Sequence, residues 1–482
     1  MLFNSFVFVF FLAIVLPVYY RLSHAWQNRF LVVASYVFYG WWDWRFLSLL
    51  AVSTAVDYVA AQAIEATRSV ARKRLWLFSS LVANLGILGF FKYFNFFVDS
   101  FSRVLVSLGL NPNPPVLSIV LPVGISFYTF QTMAYTIDVY RGQQHATRNL
   151  VNFALYVSYF PQLVAGPIER ASRLLTQIER PRRVGQDQIA SAAQLILWGY
   201  VKKVAIADGL ASYVDIAFQK PMELGAGALW IGLYAFAIQI YCDFSGYSDI
   251  ARGVSRLMGV ELMENFRQPY VSANITEFWR RWHISLSTWL RDYLYISLGG
   301  NRKGPMAQYQ NLIVTMLLGG LWHGANWTFV AWGGLHGLYL ALHKLITRGR
   351  KISETPPPNT LRSWSVQIVK MLVTFHLVCV TWVLFRSPNM ETAYLYLGGL
   401  ISPLFPFFER TTTPEFIGAF WTLLFYGAFA IMLDLGCWLG NHETCTPPRM
   451  RWWVRGAAYA TGLLILSFVR APSGEAFIYF QF

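Results

Sequence analysis

The feature that most constrains this chain is the stretch 304–343, in which no aspartate, glutamate, lysine or arginine occurs. The groups in it that titrate near neutral pH are three histidines, His323, His336 and His343. A segment so poor in charge is typical of a bilayer core or of the interior of a very large globular protein. Since an ionisable ring is costly in either place, we expect His323, in the middle of the stretch, to have partners or a chemical role.

The composition of the whole chain extends this interpretation. The 482 residues are 55% hydrophobic and 13% charged, whereas soluble domains carry about 25% charged residues. Many uncharged runs approach the roughly 20 residues that cross a bilayer, so we predict an all-α polytopic membrane protein with about 11–13 transmembrane or re-entrant helices. The runs lie at roughly 1–20, 30–42, 45–64, 76–98, 116–139, 150–165, 188–207, 225–242, 308–322, 326–346, 364–385, 415–440 and 452–471.

The net charge of +15 does not indicate nucleic-acid binding here, because the basic residues lie in short loops between apolar runs. Such loops are typical of the cytoplasmic side of a membrane. We therefore expect the N-terminus outside the cytoplasm, together with residues 99–115, which contain one acid and one base. The loops expected in the cytoplasm contain Arg21 and Arg29; Arg68, Arg72, Lys73 and Arg74; Arg170, Arg173, Arg180, Arg182 and Arg183; Arg302 and Lys303; and Lys344, Arg348, Arg350 and Lys351.

The apolar run 150–165 is short, and basic residues flank it on both sides. Pro161, Gly166 and Pro167 interrupt or end it. We predict a re-entrant segment that lines a cavity, because irregular backbone at membrane depth must be satisfied by protein or water. An ordinary short span followed by an outer loop is the alternative.

Residues 274–296 show an amphipathic pattern. Apolar side chains recur at helical spacing in one stripe, while Glu277 and Arg281 lie elsewhere around the helix. Asn274 followed by Glu277 has the form of a capping box. We predict one helix at the cytoplasmic interface with its tryptophans turned inward, and His283 at the edge of the stripe. The stripe consists of Ile275, Phe278, Trp279, Trp282, Leu286, Trp289, Leu290 and Tyr293.

Helical geometry relates His323 to its neighbours in the sequence. On a continuous helix, Asn326 and Trp327 share a face with His323, whereas His336 and His343 share a roughly opposite face. The three histidines are therefore not expected to bind one metal ion. Closely spaced glycines let helix backbones approach one another. They are Gly319, Gly320, Gly324, Gly333 and Gly337.

A second polar cluster, residues 241–249, ends the apolar run 225–242. Asp243 and Asp249 lie there with Tyr247 and two serines. Polar groups of this kind must find partners if they are buried. Two interpretations stay open: the cluster shapes a polar funnel or stabilises a reacting group, or it is a capped helix terminus at the membrane interface.

Several motifs follow one another along the chain, at 121–131 (LPVGISFYTFQ), 138–142 (DVYRG), 161–168 (PQLVAGPI), 243–249 (DFSGYSD), 277–287 (EFWRRWHISLS), 298–302 (LGGNR) and 320–327 (GLWHGANW). Together they resemble the membrane-bound O-acyltransferase family, and within it the bacterial branch of alginate O-acetyltransferase membrane subunits and teichoic acid D-alanyl transferases. Ser297 departs from that branch, which usually has proline there, and could relax the turn after the amphipathic helix.

The resemblance implies a ring of spanning helices around a cytoplasm-facing funnel. It also implies that His323 is the catalytic histidine and that His283 is the second polar residue of the active site. We place the candidate substrate-binding residues around them: Asp243, Tyr247, Asp249, Trp279, Trp282, Trp322, Asn326 and Trp327.

We further expect a single transmembrane domain over residues 1–482. Its parts are N-terminal helices at 1–115, a catalytic core at 116–346 and C-terminal helices at 364–482.

The implied activity is acyl transfer, an acetyl group above all, from a cytoplasmic thioester to hydroxyls of an exported envelope polysaccharide such as alginate. The donor, acetyl-coenzyme A or an acyl carrier protein, is a substrate, so no permanently bound cofactor or metal is expected. Besides membrane lipid, we expect a periplasmic or membrane-anchored acetyltransferase as partner, and a location in the bacterial inner membrane.

Two other functions are alternatives to acyl transfer. A transporter or channel shares polar residues at mid-membrane depth and broken helices with such an enzyme, but the sequence has no recognisable pair of related halves. A passive scaffold for a polysaccharide synthase leaves the placement of His323 and His283 unexplained.

Overall fold

The computed structural model describes residues 1–112, 117–347, 360–401, 414–443, 450–468 and 478. Within these ranges every regular element is a helix, which confirms the all-α prediction. Two compact units are distinguished, residues 1–192 with 251–263 and residues 193–250 with 264–482. The division into N-terminal helices, catalytic core and C-terminal helices stays a prediction.

The first unit contains the N-terminal helices of the chain. They are α1 (Phe6–Arg21), α2 (His24–Gly40), α3 (Leu47–Ala66), α4 (Val70–Leu88), α5 (Phe94–Ser107), α6 (Ile125–Tyr140), α7 (Leu150–Ser158), α8 (Phe160–Leu163) and α9 (Ala171–Glu179). A π-helical segment, Gly89–Tyr93, joins α4 to α5.

The second unit contains most of the later helices, and α10 (Gln186–Tyr200) leads into it. They are α11 (Asp208–Gln219), α12 (Ala226–Leu257), α13 (Ile275–Arg281), α14 (Ile284–Trp289), α15 (Pro305–His323), α16 (Trp327–Ile346), α17 (Leu361–Arg386), α18 (Met390–Leu400), α19 (Pro414–Gly440) and α20 (Trp452–Phe468). Two further π-helical segments are Val201–Ala207 and Leu290–Tyr295.

Six helical stretches of the described residues are long and apolar enough to cross a membrane, which confirms a polytopic membrane protein. The shorter apolar helix α1 adds to them. The larger count of about 11–13 segments includes re-entrant ones and stays a prediction. The six are Trp44–Ala66, Val70–Ser107, Gln186–Gln219, Ala226–Leu257, Arg362–Arg386 and Ile417–Gly440.

A buried polar cluster joins three helices of the first unit. The Asp57 carboxylate on α3 accepts hydrogen bonds from Ser80 (2.5 Å) and Asn84 (2.8 Å) on α4. Thr136 on α6 donates to the same carboxylate at 2.8 Å. Because a buried carboxylate is costly unless donors surround it, these bonds specify how the three helices pack.

The run predicted to be re-entrant is indeed short and broken. Helix α7 has 9 residues, about 13 Å of helix, which is far less than the roughly 30 Å of a hydrocarbon core. The chain leaves helical geometry at Tyr159, and the helix resumes in α8. Tyr159 and Phe160 are fully buried. The irregular backbone is thus enclosed by protein, as the re-entrant interpretation requires.

The amphipathic segment differs from the single helix that we expected. It forms α13, then α14, then the π-helical segment Leu290–Tyr295, and the chain turns sharply at His283, whose φ is +42°. The whole predicted stripe is buried. The expected polar face is partly buried too, because Glu277 and Arg281 form an ion pair of 3.0 Å at 1% and 4% exposure.

The capping box at the start of α13 is formed in part. Asn274 Oδ1 accepts from the backbone N–H of Glu277 at 2.9 Å, as the motif requires. The Glu277 side chain accepts instead from the backbone N–H of Ala273, one residue before the cap, at 3.1 Å.

Residues 241–249 do not end a helix. They lie inside α12, which continues for 32 residues from Ala226 to Leu257. The interpretation as a capped helix terminus is therefore wrong. The polar groups of this cluster lie within a long helix, and several of them bond to side chains of neighbouring helical segments.

Candidate active site

His323 is the last residue of α15 and is 5% exposed. Gly324 follows in extended geometry and ends the helix, and Asn326 then caps α16. The ring therefore lies at the carboxyl end of α15, where the helix dipole carries partial negative charge. That end of a helix favours the imidazolium that forms when a histidine accepts a proton.

Aromatic side chains surround the His323 ring. Its centroid lies 5.0 Å from that of Trp322, 5.1 Å from that of Trp332 and 5.3 Å from that of Phe385, all in edge-to-face geometry. Trp332 belongs to α16 and Phe385 to α17, so two neighbouring helices hold the ring in place. Such packing fixes the orientation of the imidazole and excludes water from one side of it.

His283 lies at the break between α13 and α14 and is fully buried. Phe244 of α12 packs edge-to-face on its ring at 4.7 Å between centroids, and its Nδ1 lies 3.1 Å from Asn265 Oδ1. Burial lowers the pKa of His283 to about 3. The ring is therefore neutral across the physiological pH range.

The two histidines that the sequence singles out come together in space. Their ring centroids are 6.3 Å apart, and Trp322 lies 5.9 Å from His283. The residues are forty positions apart in the chain, and the turn at His283 and the end of α15 bring them to one place. Their roles in chemistry stay predictions.

The carboxylates of α12 are paired with lysines that sequence reasoning did not single out. Lys203 Nζ lies 2.7 Å from Asp243 and 2.7 Å from Asp208. Lys202 Nζ lies 2.8 Å from Asp249. Both lysines belong to the π-helical segment Val201–Ala207, in the middle of an apolar run, where a lysine in the sequence is itself a signal of a buried partner. Ion pairing gives Asp243 and Asp249 a structural role, and their contact with substrate stays a prediction.

Tyr247, the third predicted residue of this cluster, is 5% exposed inside α12. Six residues earlier in the same helix, Tyr241 donates a hydrogen bond to Asp434 of α19 at 2.8 Å. The cluster therefore holds α12 against several helices of the second unit, in agreement with a polar interior and not with an interfacial end.

Trp279 and Trp282, at the end of α13, belong to a buried aromatic cluster. Trp279 donates its indole N–H to His336 Nδ1 at 3.3 Å. The Trp282 ring stacks on Phe278 at 5.6 Å and packs on Trp382 at 5.0 Å. Both tryptophans are buried, at 8% and 1% exposure. Their predicted contact with substrate is not tested by this packing.

Asn326 and Trp327 do not share a helix face with His323, so that part of the prediction is wrong. The helix ends at His323, and Asn326 Oδ1 accepts from the Thr328 backbone N–H at 3.1 Å as the cap of α16. Its Nδ2 donates to the Pro388 carbonyl at 2.7 Å. Trp327 is 55% exposed. Helical-wheel reasoning failed here because Gly324 and Asn326 stop one helix and start another.

His336 has partners at both ring nitrogens. Because an indole N–H only donates, the Nδ1 that faces Trp279 is an acceptor, and Nε2 therefore carries the proton and donates to Thr381 Oγ1 at 2.9 Å. Both bonds hold α16 to its neighbours, as expected for a structural histidine. His343 bonds Thr276 at 2.8 Å instead. In the described residues no group of three or more histidine, cysteine or acidic side chains is placed to hold a metal ion.

Comparison with known proteins identifies the family to which the chain belongs. The sequence profile of the MBOAT, membrane-bound O-acyltransferase family, matches residues 143–386, a range that contains both central histidines and the whole of α12 to α17. The chain belongs to the membrane-bound O-acyltransferase family. The prediction from the motifs is confirmed, and the protein is an O-acyltransferase.

Three curated relatives of this acyltransferase illustrate the range of similarity. The probable alginate O-acetylase AlgI of Pseudomonas aeruginosa is 47% identical over 407 residues, which cover 83% of this chain and 75% of the relative. The peptidoglycan O-acetyltransferase of Helicobacter pylori is 36% identical over 83% of this chain and 80% of the relative. The teichoic acid D-alanyltransferase of Bacillus subtilis is 26% identical over 57% of this chain and 71% of the relative.

The relatives named for transferase activity leave the transporter interpretation without support.

The sequence did not reveal several residues of the site, which are Lys202, Lys203, Asn265, Trp332, Trp382 and Phe385. The lysines carried a signal, since they interrupt an apolar run. Asn265 carried none, because an asparagine in a loop is common and only the fold brings it to His283.

Proposed function

We propose that this acyltransferase moves an acetyl group from a cytoplasmic thioester toward hydroxyls of an exported envelope polysaccharide, alginate or a similar polymer. The names of the relatives support this substrate class, since they describe acetylation of alginate and of peptidoglycan. We further propose a location in the bacterial inner membrane, with the N-terminus on the outer side, from the distribution of basic loops.

The observation that carries the proposal is the placement of His323. Its imidazole is buried at the carboxyl end of α15, lies 6.3 Å from His283 between ring centroids, and is walled by Trp322, Trp332 and Phe385. A general base needs a neutral imidazole whose protonated form is tolerated, and a thioester needs protection from water. The burial of His323 at the carboxyl end of α15 and its aromatic neighbours support this role.

The proposed reaction balances as follows. A hydroxyl oxygen of the acceptor attacks the thioester carbonyl carbon while His323 takes the hydroxyl proton. The tetrahedral intermediate collapses, the C–S bond breaks, and the new C–O ester bond remains. The imidazolium returns the proton to the leaving thiolate, which departs as a thiol. General-base assistance of this kind contributes roughly 10²–10⁴-fold to a rate.

The donor and the partner follow from the two sides of the membrane. Basic loops expected in the cytoplasm attract an acidic donor, whether the phosphates of acetyl-coenzyme A or an acidic carrier protein. The polymer is modified outside, so we propose that a periplasmic or membrane-anchored acetyltransferase receives the acetyl group and completes the transfer. Neither donor is a resident cofactor.

The experiment compares two glutamine variants in a strain that lacks the chromosomal protein. We expect His323→Gln to lower the acetyl ester content of the envelope polymer at least about 10²-fold, as loss of a general base predicts. His343→Gln is the matched control, because that ring is half-buried and bonds the Thr276 side chain, and it should leave the acetyl content close to wild type.

Mass spectrometry of the polymer gives the acetyl content, and immunoblots of membranes give the amount of each variant. Equal polymer export in all strains separates acetylation from transport. If His323→Gln is present at the wild-type level and the polymer keeps its acetyl esters, His323 is not the base and the proposed mechanism is overturned.

A further inference from the structure

The loop that precedes α13 is bonded to the turn at His283. The Asn265 carbonyl accepts the backbone N–H of Ile284 at 2.9 Å, and the Arg267 N–H donates to the Arg281 carbonyl at 2.9 Å. These two backbone bonds lie on either side of His283, whose left-handed φ of +42° is uncommon for a residue other than glycine. The loop thus holds the turn that aims the imidazole.

The side chain of Asn265 has one possible orientation. Its Oδ1 faces the backbone N–H of Ser285 at 3.2 Å, and a backbone N–H can only donate. The atom opposite it must therefore be the amide oxygen, which settles the usual ambiguity between amide oxygen and nitrogen. The amide nitrogen consequently faces Ser248 Oγ of α12, at 3.4 Å.

This orientation determines the proton position on His283. Nδ1 lies 3.1 Å from the same Oδ1, and two acceptors at that distance would repel each other. Nδ1 therefore carries a hydrogen. Ser285 Oγ donates to the same oxygen at 2.9 Å, so its hydrogen is already used there. Since the ring is neutral, Nε2 holds a lone pair.

We propose that Asn265 is a positioning residue that holds His283 as the Nδ1–H tautomer, so that its Nε2 acts in acyl transfer as a hydrogen-bond acceptor. The proposal rests on the proposed function, in which His283 belongs to the acyl-transfer site. It deepens that function because it assigns His283 Nε2 the role of a hydrogen-bond acceptor and excludes the role of a donor. An acceptor nitrogen receives the O–H of the polymer or partner hydroxyl, or the N–H of His323. It does not donate to the thioester carbonyl, so stabilisation of the oxyanion must come from other groups.

His336 adopts the opposite tautomer. Its Nδ1 faces the indole N–H donor of Trp279, so the proton lies on Nε2. The two buried histidines of the same unit are therefore expected to differ in one spectroscopic property, which provides an internal reference for the test.

The first experiment reads the tautomer directly. The protein labelled with ¹⁵N-histidine is measured by solid-state NMR in lipid, and the His283 and His336 signals are assigned by their loss in His283→Gln and His336→Gln. We expect protonated Nδ1 for His283 and protonated Nε2 for His336. Protonated Nε2 on His283 in the wild-type protein overturns the proposal, whatever the enzyme's activity.

The second experiment uses three variants. Asn265→Leu has nearly the same size as the wild-type residue and no acceptor. Asn265→Asp keeps acceptors for His283 Nδ1–H and for the Ser285 backbone N–H. Ser285→Ala removes only the hydroxyl and keeps both of these bonds to Asn265. Leucine should abolish the Nδ1–H signal and lower kcat by roughly 10²-fold with little change in KM, the scale of a lost acid–base group. Aspartate and alanine should keep the signal and stay within about tenfold of wild type.

The outcomes separate this proposal from the proposed function. If Asn265→Leu alters the tautomer and acyl transfer persists at the wild-type rate, Asn265 has no positioning role although the acyltransferase mechanism stands. If Asn265→Asp fails to rescue a folded, inactive Asn265→Leu, the acceptor argument is wrong. The wild-type NMR measurement remains decisive if the leucine variant does not accumulate in the membrane.

Discussion

At the residue scale, Glu169 shows how burial changes the pKa of an ionisable group. It lies in the first unit between α8 and α9 and is fully buried. Its carboxylate accepts from the Met263 backbone N–H, and Arg173 Nε lies 4.0 Å away. Burial, opposed only in part by Arg173, raises the pKa of Glu169 from the ordinary glutamate value of 4.5 to about 7.

The prediction from Glu169 concerns stability against pH. The folded protein holds a proton that the unfolded chain releases above about pH 4.5, so the contribution is complete below that value and is lost as the pH rises through about 7. We expect the thermal midpoint of the solubilised wild type to fall relative to Glu169→Gln between pH 5 and pH 7, roughly the window between the two pKa values. Thermal unfolding in detergent measures it.

Glu223→Gln is the matched control, since this glutamate is exposed in a 3₁₀ turn, with 65% of its side chain accessible. Its curve should follow that of the wild type. Parallel curves for the wild type and Glu169→Gln would contradict a carboxyl group that is protonated in the folded state at neutral pH.

At the element scale, the contact between α15 and α16 positions His323. A Cβ built on Gly320 would lie 2.1 Å from the Phe329 carbonyl oxygen, and one on Gly333 would lie 2.1 Å from that of Met316. The two backbones are therefore in direct contact, as small residues permit between membrane helices. Since His323 ends α15, any separation of these helices moves the ring away from Trp332.

The prediction from this contact is that Gly333→Ala destabilises the protein by about 1–3 kcal/mol, the cost of overpacking, and lowers acyl transfer. Gly334→Ala is the control, because its Cβ would meet only the end of the Leu317 side chain, at 3.2 Å. Thermal unfolding and polymer acetylation are measured for both. Equal effects of the two substitutions would show that the backbone contact does not position the site.

At the scale of the whole molecule, the distribution of charge predicts the orientation in the membrane. In the stretch Val70–Ser107, α4, the π-helical segment Gly89–Tyr93 and α5 follow one another without a break over 38 residues. That is about 57 Å of helix, more than sufficient to cross a bilayer once. Arg68 lies just before this stretch, and Arg72, Lys73 and Arg74, which we expected in a loop, lie in the first turns of α4. The sparsely charged segment 99–115 overlaps the other end. The two ends are therefore expected on opposite sides, with the basic end in the cytoplasm.

Cysteine labelling tests this orientation. Cys242, Cys379 and Cys437 are buried and should give little background, and Cys445 is replaced by serine. We expect a membrane-impermeant maleimide to label Leu110→Cys in intact spheroplasts, and to label Ala66→Cys only after the membrane is opened. Both positions are exposed in the fold. The reverse pattern would place the N-terminus in the cytoplasm and contradict the predicted topology.

The sequence by itself determined that the protein is an all-α polytopic membrane protein, and it determined the family. These properties follow from local information: the length of an apolar run, and motifs whose residues are adjacent. His323 and His283 were found for the same reason, since each lies within a recognisable motif. The break in 150–165 was likewise readable from Pro161 and its neighbours.

Only the tertiary structure decided which polar groups meet and where helices stop near the site. Lys203 reaches Asp243 across 40 positions, Asn265 orients His283 across 18, and the turn at His283 interrupts a pattern that reads as one helix. Periodicity cannot anticipate such pairs, because the partners of a buried charge or amide are chosen by the packing of distant helices. The exposure of Trp327 was not predictable from periodicity either. Asn326 is the N-cap of α16, so Trp327 begins a new helix and does not continue the helix that ends at His323.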